Sequence, residues 1–243
     1  NSQEITALHK EDKFWEKPKA DLVIEKTKNT DEAKIDKVER KQFNQMPPFP
    51  FDLTSLQVEA YRCFNISPKE TLEIAQELYT SGLISYPRTS SQQLPEAIGY
   101  ERIFNEIGKQ KQYSELVKNL LKIGKLVPNN GKKTDPAHPA IFPTGIEPKG
   151  LKEKEAKIYD LIVKRFTSAF AENAVRETMS IEINCNEELF IARGTRTTEK
   201  GWHRYYSPYV QLEETELPSV KDGEKIKVNK IQLISKETQP PKR

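Results

Sequence analysis

Residues Ser67–Thr89 read SPKETLEIAQELYTSGLISYPRT, and this stretch decides how the chain is organised. Ser67 and Pro68 favour the cap and the first turn of a helix. Gly82 stands where a left-handed residue ends a helix, and Leu83–Tyr86 is typical of a short strand. Between these points, four residues recur on one helical face: Leu72, Ala75, Leu78 and Tyr79. The stretch therefore predicts a helix followed by a strand that ends at Tyr86.

A further helix is predicted just upstream, with Asp52 or Thr54 as its cap. Its buried positions are expected to be Leu53, Leu56, Ala60, Cys63 and Phe64. Helix, turn, helix and strand in this order resemble a winged-helix unit. The outward face of the second helix is acidic and would repel the major groove of a duplex, since it carries Glu70, Glu73, Gln76 and Glu77.

The flanking sequence is rich in strands on both sides of a helical middle. Three prolines within Met46–Pro50 interrupt any helix or ladder and mark a domain boundary. Strands are predicted near Ile5–Leu8, Ala33–Asn44, Met179–Ile183, Leu189–Ile191, Tyr205–Val210 and Ile226–Ile231, and further helices from Pro18, over Pro95–Gly108, Tyr113–Ile123 and Leu151–Glu172. Strands at the two ends need partners, and pairing them with one another is the economical solution. We therefore expect an α+β fold, with a helical, winged-helix-like (CAP-like) domain at 49–150 inserted into a discontinuous strand-rich domain at 1–48 and 151–243.

The composition excludes several classes of protein. Charged residues make up 31% and hydrophobic residues 35% of the chain, and no apolar run approaches the ~18 residues of a membrane span, so we expect no membrane association. Cys63 and Cys185 lie far apart, which excludes a disulfide scaffold and a zinc ribbon and indicates a reducing compartment. The first residues, Asn1–Glu4, include no initiator methionine and no signal peptide. We expect a piece of a longer chain.

Positive charge is concentrated in one part of the sequence. The formal net charge is only +3, but Glu101–Arg165 holds fourteen Lys or Arg against eight Asp or Glu. A smaller basic cluster follows, with Arg193, Arg196, Lys200 and Arg204 against Glu199. Taken alone, each cluster is more typical of a solvated face than of an anion-binding surface.

Tyr86 and Arg88 suggest a phosphoryl-transfer chemistry. Residues i and i+2 of a strand point the same way, so a guanidinium is expected beside the phenol, followed by the hydroxyls of Thr89, Ser90 and Ser91. A phenol has a pKa near 10 and needs such a cation to act as a nucleophile at neutral pH. Attack on a phosphodiester would conserve its energy in a phosphotyrosine bond, and the chain has no GxxxxGK[ST] nucleotide-binding motif. On these residues alone, a strand-end aromatic beside a surface charge is the favoured interpretation.

Two longer motifs decide between these interpretations. Residues 75–89, AQELYTSGLISYPRT, resemble the active-site segment of type IA DNA topoisomerases, and residues 137–144, AHPAIFPT, resemble the second signature of the same family. The form of both motifs is closest to archaeal enzymes and to the topoisomerase III branch, with reverse gyrase also possible. Weaker similarity to the family's arch covers Leu151–Glu172, Arg193–Trp202 and Pro240–Arg243.

The resemblance implies a mechanism and its residues. Tyr86 would be the catalytic nucleophile that becomes linked to a 5′ phosphate, and Arg88 would contact that phosphate. A supporting, DNA-binding set is implied at Gln76, Ser85, Thr89, Ser90, His138 and Thr144. The parent would cut one DNA strand, pass another through the gap and reseal the break. The inserted and discontinuous domains would be the family's tyrosine domain and arch.

The resemblance also implies what the chain needs from elsewhere. The family's TOPRIM domain carries a D-x-D-x-E magnesium cluster, and no such motif occurs in the 243 residues. Mg²⁺ is therefore expected only in the full-length parent and not on this segment, which should be inactive alone. Expected partners are single-stranded DNA and the parent's own TOPRIM domain, in the nucleoid of the cytoplasm. The alternative from another class is a non-catalytic winged-helix DNA-binding module.

Overall fold

The computed structural model describes residues 4–237, which combine helices with an antiparallel sheet. In chain order the elements are β1 (Leu8–His9), α1 (Lys17–Thr27), β2 (Glu32–Gln45), α2 (Leu53–Phe64), α3 (Pro68–Thr80), α4 (Tyr100–Ile107), α5 (Ser114–Leu120), α6 (Glu153–Ser168), β3 (Ala174–Cys185), β4 (Glu188–Glu199), α7 (His203–Tyr206) and β5 (Lys225–Lys227). Short 3-10 helices, Glu96–Ile98 and Leu121–Ile123, precede α4 and follow α5. No helix within residues 4–237 is both long and apolar enough to cross a membrane.

The chain divides into two compact units. A sheet unit is built from residues up to 43, 176–197 and from 213 onward, and a helical unit from 44–175 and 198–212. The helical unit thus extends beyond the expected insertion at 49–150. The reason is α6, whose Ile158, Leu161 and Phe166 are buried in the core of the helical unit.

The sheet unit contains five strands in the order β1-β4-β3-β2-β5. Leu8 lies opposite Ile191 in the antiparallel β1–β4 pair, and Ala33 lies opposite Ile226 in the β2–β5 pair. Strands near both ends of the described chain therefore belong to one sheet. One face of the sheet forms a small apolar core that includes Ile35, Met179, Ile181, Ile183 and Cys185.

The core of the helical unit is centred on aromatic rings from α4, from α6 and from Phe170, which follows α6. Phe104, Phe166 and Phe170 pack mutually, with ring centroids 4.9 to 5.2 Å apart. Phe104 is completely buried. Since aromatic side chains bury large areas and pair with defined geometry, this cluster fixes α4 on α6.

A buried arginine joins three segments of the helical unit. The Arg165 guanidinium lies between the rings of Phe51 and Tyr206, 4.2 and 4.4 Å from their centroids. It also donates to Glu59 Oε1 at 2.6 Å and to the Tyr206 hydroxyl oxygen at 2.7 Å. A desolvated cation gains more from rings and a carboxylate than an exposed one does. Arg165 therefore holds α2, α7 and the strand-like segment at Phe51 to α6.

Two sequence-based expectations meet a different outcome, and a third falls outside the described residues. Tyr205–Val210 is not a strand, because the chain turns through the short helix α7 and then continues without regular structure. Leu83–Tyr86 forms only an isolated antiparallel bridge, between Ile84 and Pro143. The expected arch segment at Pro240–Arg243 lies outside the described residues.

Replacing Phe104 by Ala should lower the free energy of unfolding by about 3 to 5 kcal/mol, because it empties the centre of the aromatic cluster. Chemical denaturation followed by circular dichroism measures this change. Val58→Ala is the matched control, since Val58 is 61% exposed on α2 and should change the stability little. Equal losses in the two variants would contradict the assignment of the core.

Candidate active site

Backbone pairing brings the two sequence motifs together. The Ser85 amide donates to the Phe142 carbonyl at 2.8 Å, and the Thr144 amide donates to the Leu83 carbonyl at 3.0 Å. Side chains repeat the pairing: the Ser85 hydroxyl accepts from the Phe142 amide at 2.9 Å, and the Thr144 hydroxyl donates to the Gly82 carbonyl at 2.6 Å. Segments that lie 57 residues apart therefore run side by side just before Tyr86.

Helix α3 delivers the first of these segments. The Ser67 hydroxyl caps the helix by accepting from the Glu70 amide at 3.3 Å. After the helix, Gly82 adopts a φ of +73°, which lets the chain turn sharply into the pairing. The chain then reaches Tyr86 within four residues.

The half-buried Tyr86 ring lies between two other rings. The His138 ring centroid is 4.5 Å away and tilted by 44°, and the Tyr79 ring stands edge-on at 5.3 Å. Within residues 4–237 the Tyr86 hydroxyl has no hydrogen-bond partner. The ring is thus positioned by neighbours, and its oxygen is left available to an external group.

Arg88 and Gln76 border a cleft along α3. The cleft has a volume of about 700 Å³ and is lined by Lys69, Leu72, Glu73, Gln76, Glu77, Thr80, Ser81 and Arg88. Arg88 is exposed and, in the part of the chain that the structure describes, forms no ion pair or hydrogen bond. Its guanidinium therefore remains able to take a bidentate anion such as a phosphate.

The loop that carries His138 is held by a residue that sequence reasoning missed. Asp135 Oδ1 accepts from the amides of Ala137 at 3.0 Å and His138 at 3.1 Å. Its Oδ2 accepts from the amide and the hydroxyl of Ser90, at 3.3 and 3.2 Å. The signal that could have found Asp135 is the Asp-Pro pair in a long loop, because Asp commonly accepts from the amides that follow it in a turn.

These hydrogen bonds favour the ionised form of Asp135. The amides of Ala137, Ser90 and His138 stabilise the carboxylate and lower the pKa of Asp135 to about 2. The carboxylate is therefore charged at every pH at which the protein is expected to work.

The remaining predicted residues are part of the framework. Thr89 is buried, and its hydroxyl donates to the His138 carbonyl at 3.3 Å. The hydroxyls of Ser85, Ser90 and Thr144 also bond to loop atoms, as described above. The structure thus assembles Tyr86, His138 and the four hydroxyl residues, while Gln76 and Arg88 line the neighbouring cleft.

The basic stretch is half neutralised in the fold. Seven of its fourteen cations form ion pairs: Lys109, Lys133, Lys152, Lys154, Lys157, Lys164 and Arg165. The Lys133 ammonium, for example, lies 2.8 Å from the buried Asp52 carboxylate at the start of α2. Less positive charge is available to a nucleic acid than the sequence count suggests.

The described residues do not fit a magnesium site. Among residues 4–237, no group of three or more His, Cys, Asp and Glu side chains is placed so that it could hold a metal ion. Mg²⁺ needs several oxygen ligands around one point. No step of the chemistry is therefore assigned to a metal on this segment.

Comparison with known proteins identifies the family. A family model described as DNA topoisomerase matches residues 1–243. The DNA topoisomerase 1 of Methanocaldococcus jannaschii is 47% identical over 98% of the chain, and that of Pyrococcus horikoshii is 43% identical over 100% of it. The chain belongs to the type IA DNA topoisomerase family. Its similarity is to archaeal members.

The topoisomerase chain corresponds to part of its relatives. It spans about a third of their length, 31% and 36% for the two archaeal proteins. The full-length topoisomerase I of Thermotoga maritima has the same fold over 93% of the chain, with a TM-score of 0.64 at 23% identity, and the match covers 38% of that protein. The mixed fold with its antiparallel sheet is therefore a family property.

The Asp135 carboxyl should titrate near pH 2 in ¹³C NMR of the topoisomerase chain. Because its pKa lies below the ordinary value of 3.8, Asp135 stabilises the fold above about pH 4, and this contribution is lost as the pH falls towards 2. Ser90→Ala removes the hydroxyl donor and should raise the pKa, whereas Ser114→Ala, whose hydroxyl bonds to Lys111, should leave it unchanged. Titration at the ordinary value in the unmodified chain would contradict the hydrogen-bonded geometry.

Proposed function

We propose that Tyr86 is the nucleophile with which a longer topoisomerase containing this chain cuts one DNA strand. The supporting observation is the juxtaposition of Tyr86 with His138, 4.5 Å between ring centroids, by pairing of two motifs distant in sequence. Attack by the phenolic oxygen forms a bond to phosphorus and breaks the bond between phosphorus and the 3′ oxygen. The phenolic proton leaves to a base, and the departing 3′ oxygen takes up a proton. A 5′-phosphotyrosine and a free 3′-hydroxyl result.

Resealing is the reverse of this step and needs no nucleotide. The phosphotyrosine bond keeps the energy of the phosphodiester, so the 3′-hydroxyl can attack it after another strand has passed through the gap. Tyr86 must therefore hold its position while the DNA moves, and the packing of its ring between Tyr79 and His138 supports this requirement.

The other residues divide into groups that contact DNA and groups that hold loops. Arg88 is exposed and unpaired in the described residues, so we assign it to the scissile phosphate. We assign Gln76, which lines the same cleft, to the DNA strand beyond that phosphate. His138 can donate to a phosphate oxygen or transfer a proton. Ser85, Thr89, Ser90 and Thr144 bond to loop backbone or to Asp135, and their contribution to DNA binding is through the shape of the site.

The wider setting is part of the proposal. The sheet unit and the helical unit would correspond to the arch and the winged-helix-like tyrosine domain, and the TOPRIM domain with its Mg²⁺ would come from elsewhere in the longer protein. Single-stranded DNA is the substrate that suits the site, because backbone contacts by Arg88 need no base readout. The expected compartment is the nucleoid of the cytoplasm.

Tyr86→Phe in the full-length protein should eliminate the covalent protein–DNA adduct, because the ring stays packed while the attacking oxygen is lost. The adduct is measured with a 3′-labelled oligonucleotide, because the fragment that stays on the protein is the one downstream of the break, and the reaction is trapped with denaturant. Tyr61→Phe is the control, since Tyr61 is 58% exposed on α2. This variant should form the Tyr86 adduct in the normal amount. A labelled adduct in Tyr86→Phe would assign the nucleophile to another residue.

The isolated chain should bind single-stranded DNA weakly and should not relax supercoiled DNA at any magnesium concentration. With about three phosphate contacts, a fourfold rise in salt should lower the affinity roughly 20-fold. Fluorescence anisotropy at low and moderate salt measures this dependence, with a duplex of the same sequence as control. Tight, salt-insensitive binding to one duplex sequence would favour the winged-helix module, and relaxation by the isolated chain would place the metal site within it.

A further inference from the structure

We propose that Asp135 is a positioning residue for the Tyr86 centre, acting through the backbone of the His138 loop. This inference rests on the proposed function of Tyr86. Asp135 is partly exposed, and among residues 4–237 its carboxylate bonds to backbone amides and a hydroxyl, with no hydrogen bond to the side chain of Tyr86 or His138. Its effect on chemistry is therefore indirect, through where it holds other groups.

One carboxylate links the two sides of the site. Oδ2 holds both donors of Ser90, four residues after the nucleophile, while Oδ1 holds the amides of Ala137 and His138. The two segments lie 45 residues apart in sequence. Hydrogen bonds to a charged acceptor are stronger than bonds to a neutral one, and the two bonds from Ser90 join the segments through this carboxylate.

The peptide of His138 is held at both ends. Asp135 accepts from its amide, and the Thr89 hydroxyl donates to its carbonyl at 3.3 Å. Thr89 is itself fixed, because it is buried and its carbonyl accepts from the Leu53 amide at 3.0 Å. The amide and the carbonyl of His138 are thus both tied to the segment that follows Tyr86. This clamp helps to set the distance between the Tyr86 and His138 rings.

Loss of the carboxylate should loosen the clamp without unfolding the chain. The four donors lie at a partly exposed position, so water can replace the acceptor, and the chain stays folded with a modest loss of stability. Reacting groups tolerate displacement far less, since a shift of about 1 Å can lower a rate roughly 100-fold. A rate effect separated from a stability effect is thus the signature of the role.

The test uses the full-length topoisomerase that contains this chain. Asp135→Ala should lower the single-turnover rate of Tyr86 adduct formation about 10-fold, with the affinity for the same single-stranded oligonucleotide unchanged within about twofold. Asp135→Asn keeps one acceptor oxygen and should give an intermediate loss, and it provides the test if the alanine variant folds poorly. Asp21→Ala is the control, because Asp21 is an exposed carboxylate that pairs only with Lys17 on α1.

A double-mutant cycle distinguishes positioning from a general structural role. If Asp135 acts through His138, then Asp135→Ala combined with His138→Ala should be no slower than His138→Ala alone. Fully additive losses, or an unchanged rate in Asp135→Ala, would overturn the inference while leaving Tyr86 as the nucleophile. Absence of any adduct in the unmodified protein would instead overturn the proposed function itself.

Discussion

The backbone pairing between residues 82–85 and 141–144 is the constraint on which the site depends. It spans only a few hydrogen bonds, but the hydroxyls of Ser85 and Thr144 reinforce it from both sides. Each is a short side chain that bonds to the backbone of the facing segment, so the register cannot slip by one residue without losing the side-chain bonds as well. The position of His138 relative to Tyr86 follows from this register.

The pairing in turn depends on the core of the helical unit. Ile141 bonds through its amide to the Phe51 carbonyl, and the Phe51 ring packs on the Arg165 guanidinium. Arg165 is 8% exposed and is neutralised by Glu59 on α2. A buried charge of this kind is costly when its partner is removed, so α2, α6 and the Phe51 segment are coupled. A disturbance in this buried cluster would reach the segment that pairs with residues 82–85 through Phe51 and Ile141.

Local signals predicted much of this arrangement. Ser67, Pro68 and Gly82 fixed the ends of α3, and Asp52 caps α2 as one of its two expected residues. The motifs named the residues that come together at Tyr86, although their individual roles stay predictions. The strand predicted at Tyr205–Val210 was wrong, because the same aromatic pattern also fits a short helix that buries Tyr205 and Tyr206 against the core. Asp135 was missed because the local Asp-Pro pair indicates only its bonds to the amides that follow it, whereas its bonds to Ser90 join a segment 45 residues away, which no local pattern contains.

The charges near Tyr86 have two different roles. The Asp135 carboxylate belongs to the hydrogen-bonded frame that holds the loops, whereas the Arg88 guanidinium stays outside that frame. Asp135 supplies a permanent negative charge to the frame, so a phosphate at Tyr86 needs compensating positive charge close by. Arg88 can supply it because its guanidinium is not spent on an ion pair within residues 4–237, whereas seven cations of the basic stretch already have partners. A phosphoryl-transfer transition state spreads its charge over several oxygens, more than one guanidinium can cover. For the proposed reaction at Tyr86, the frame positions the phenol, and Arg88 covers only part of the charge on the phosphate.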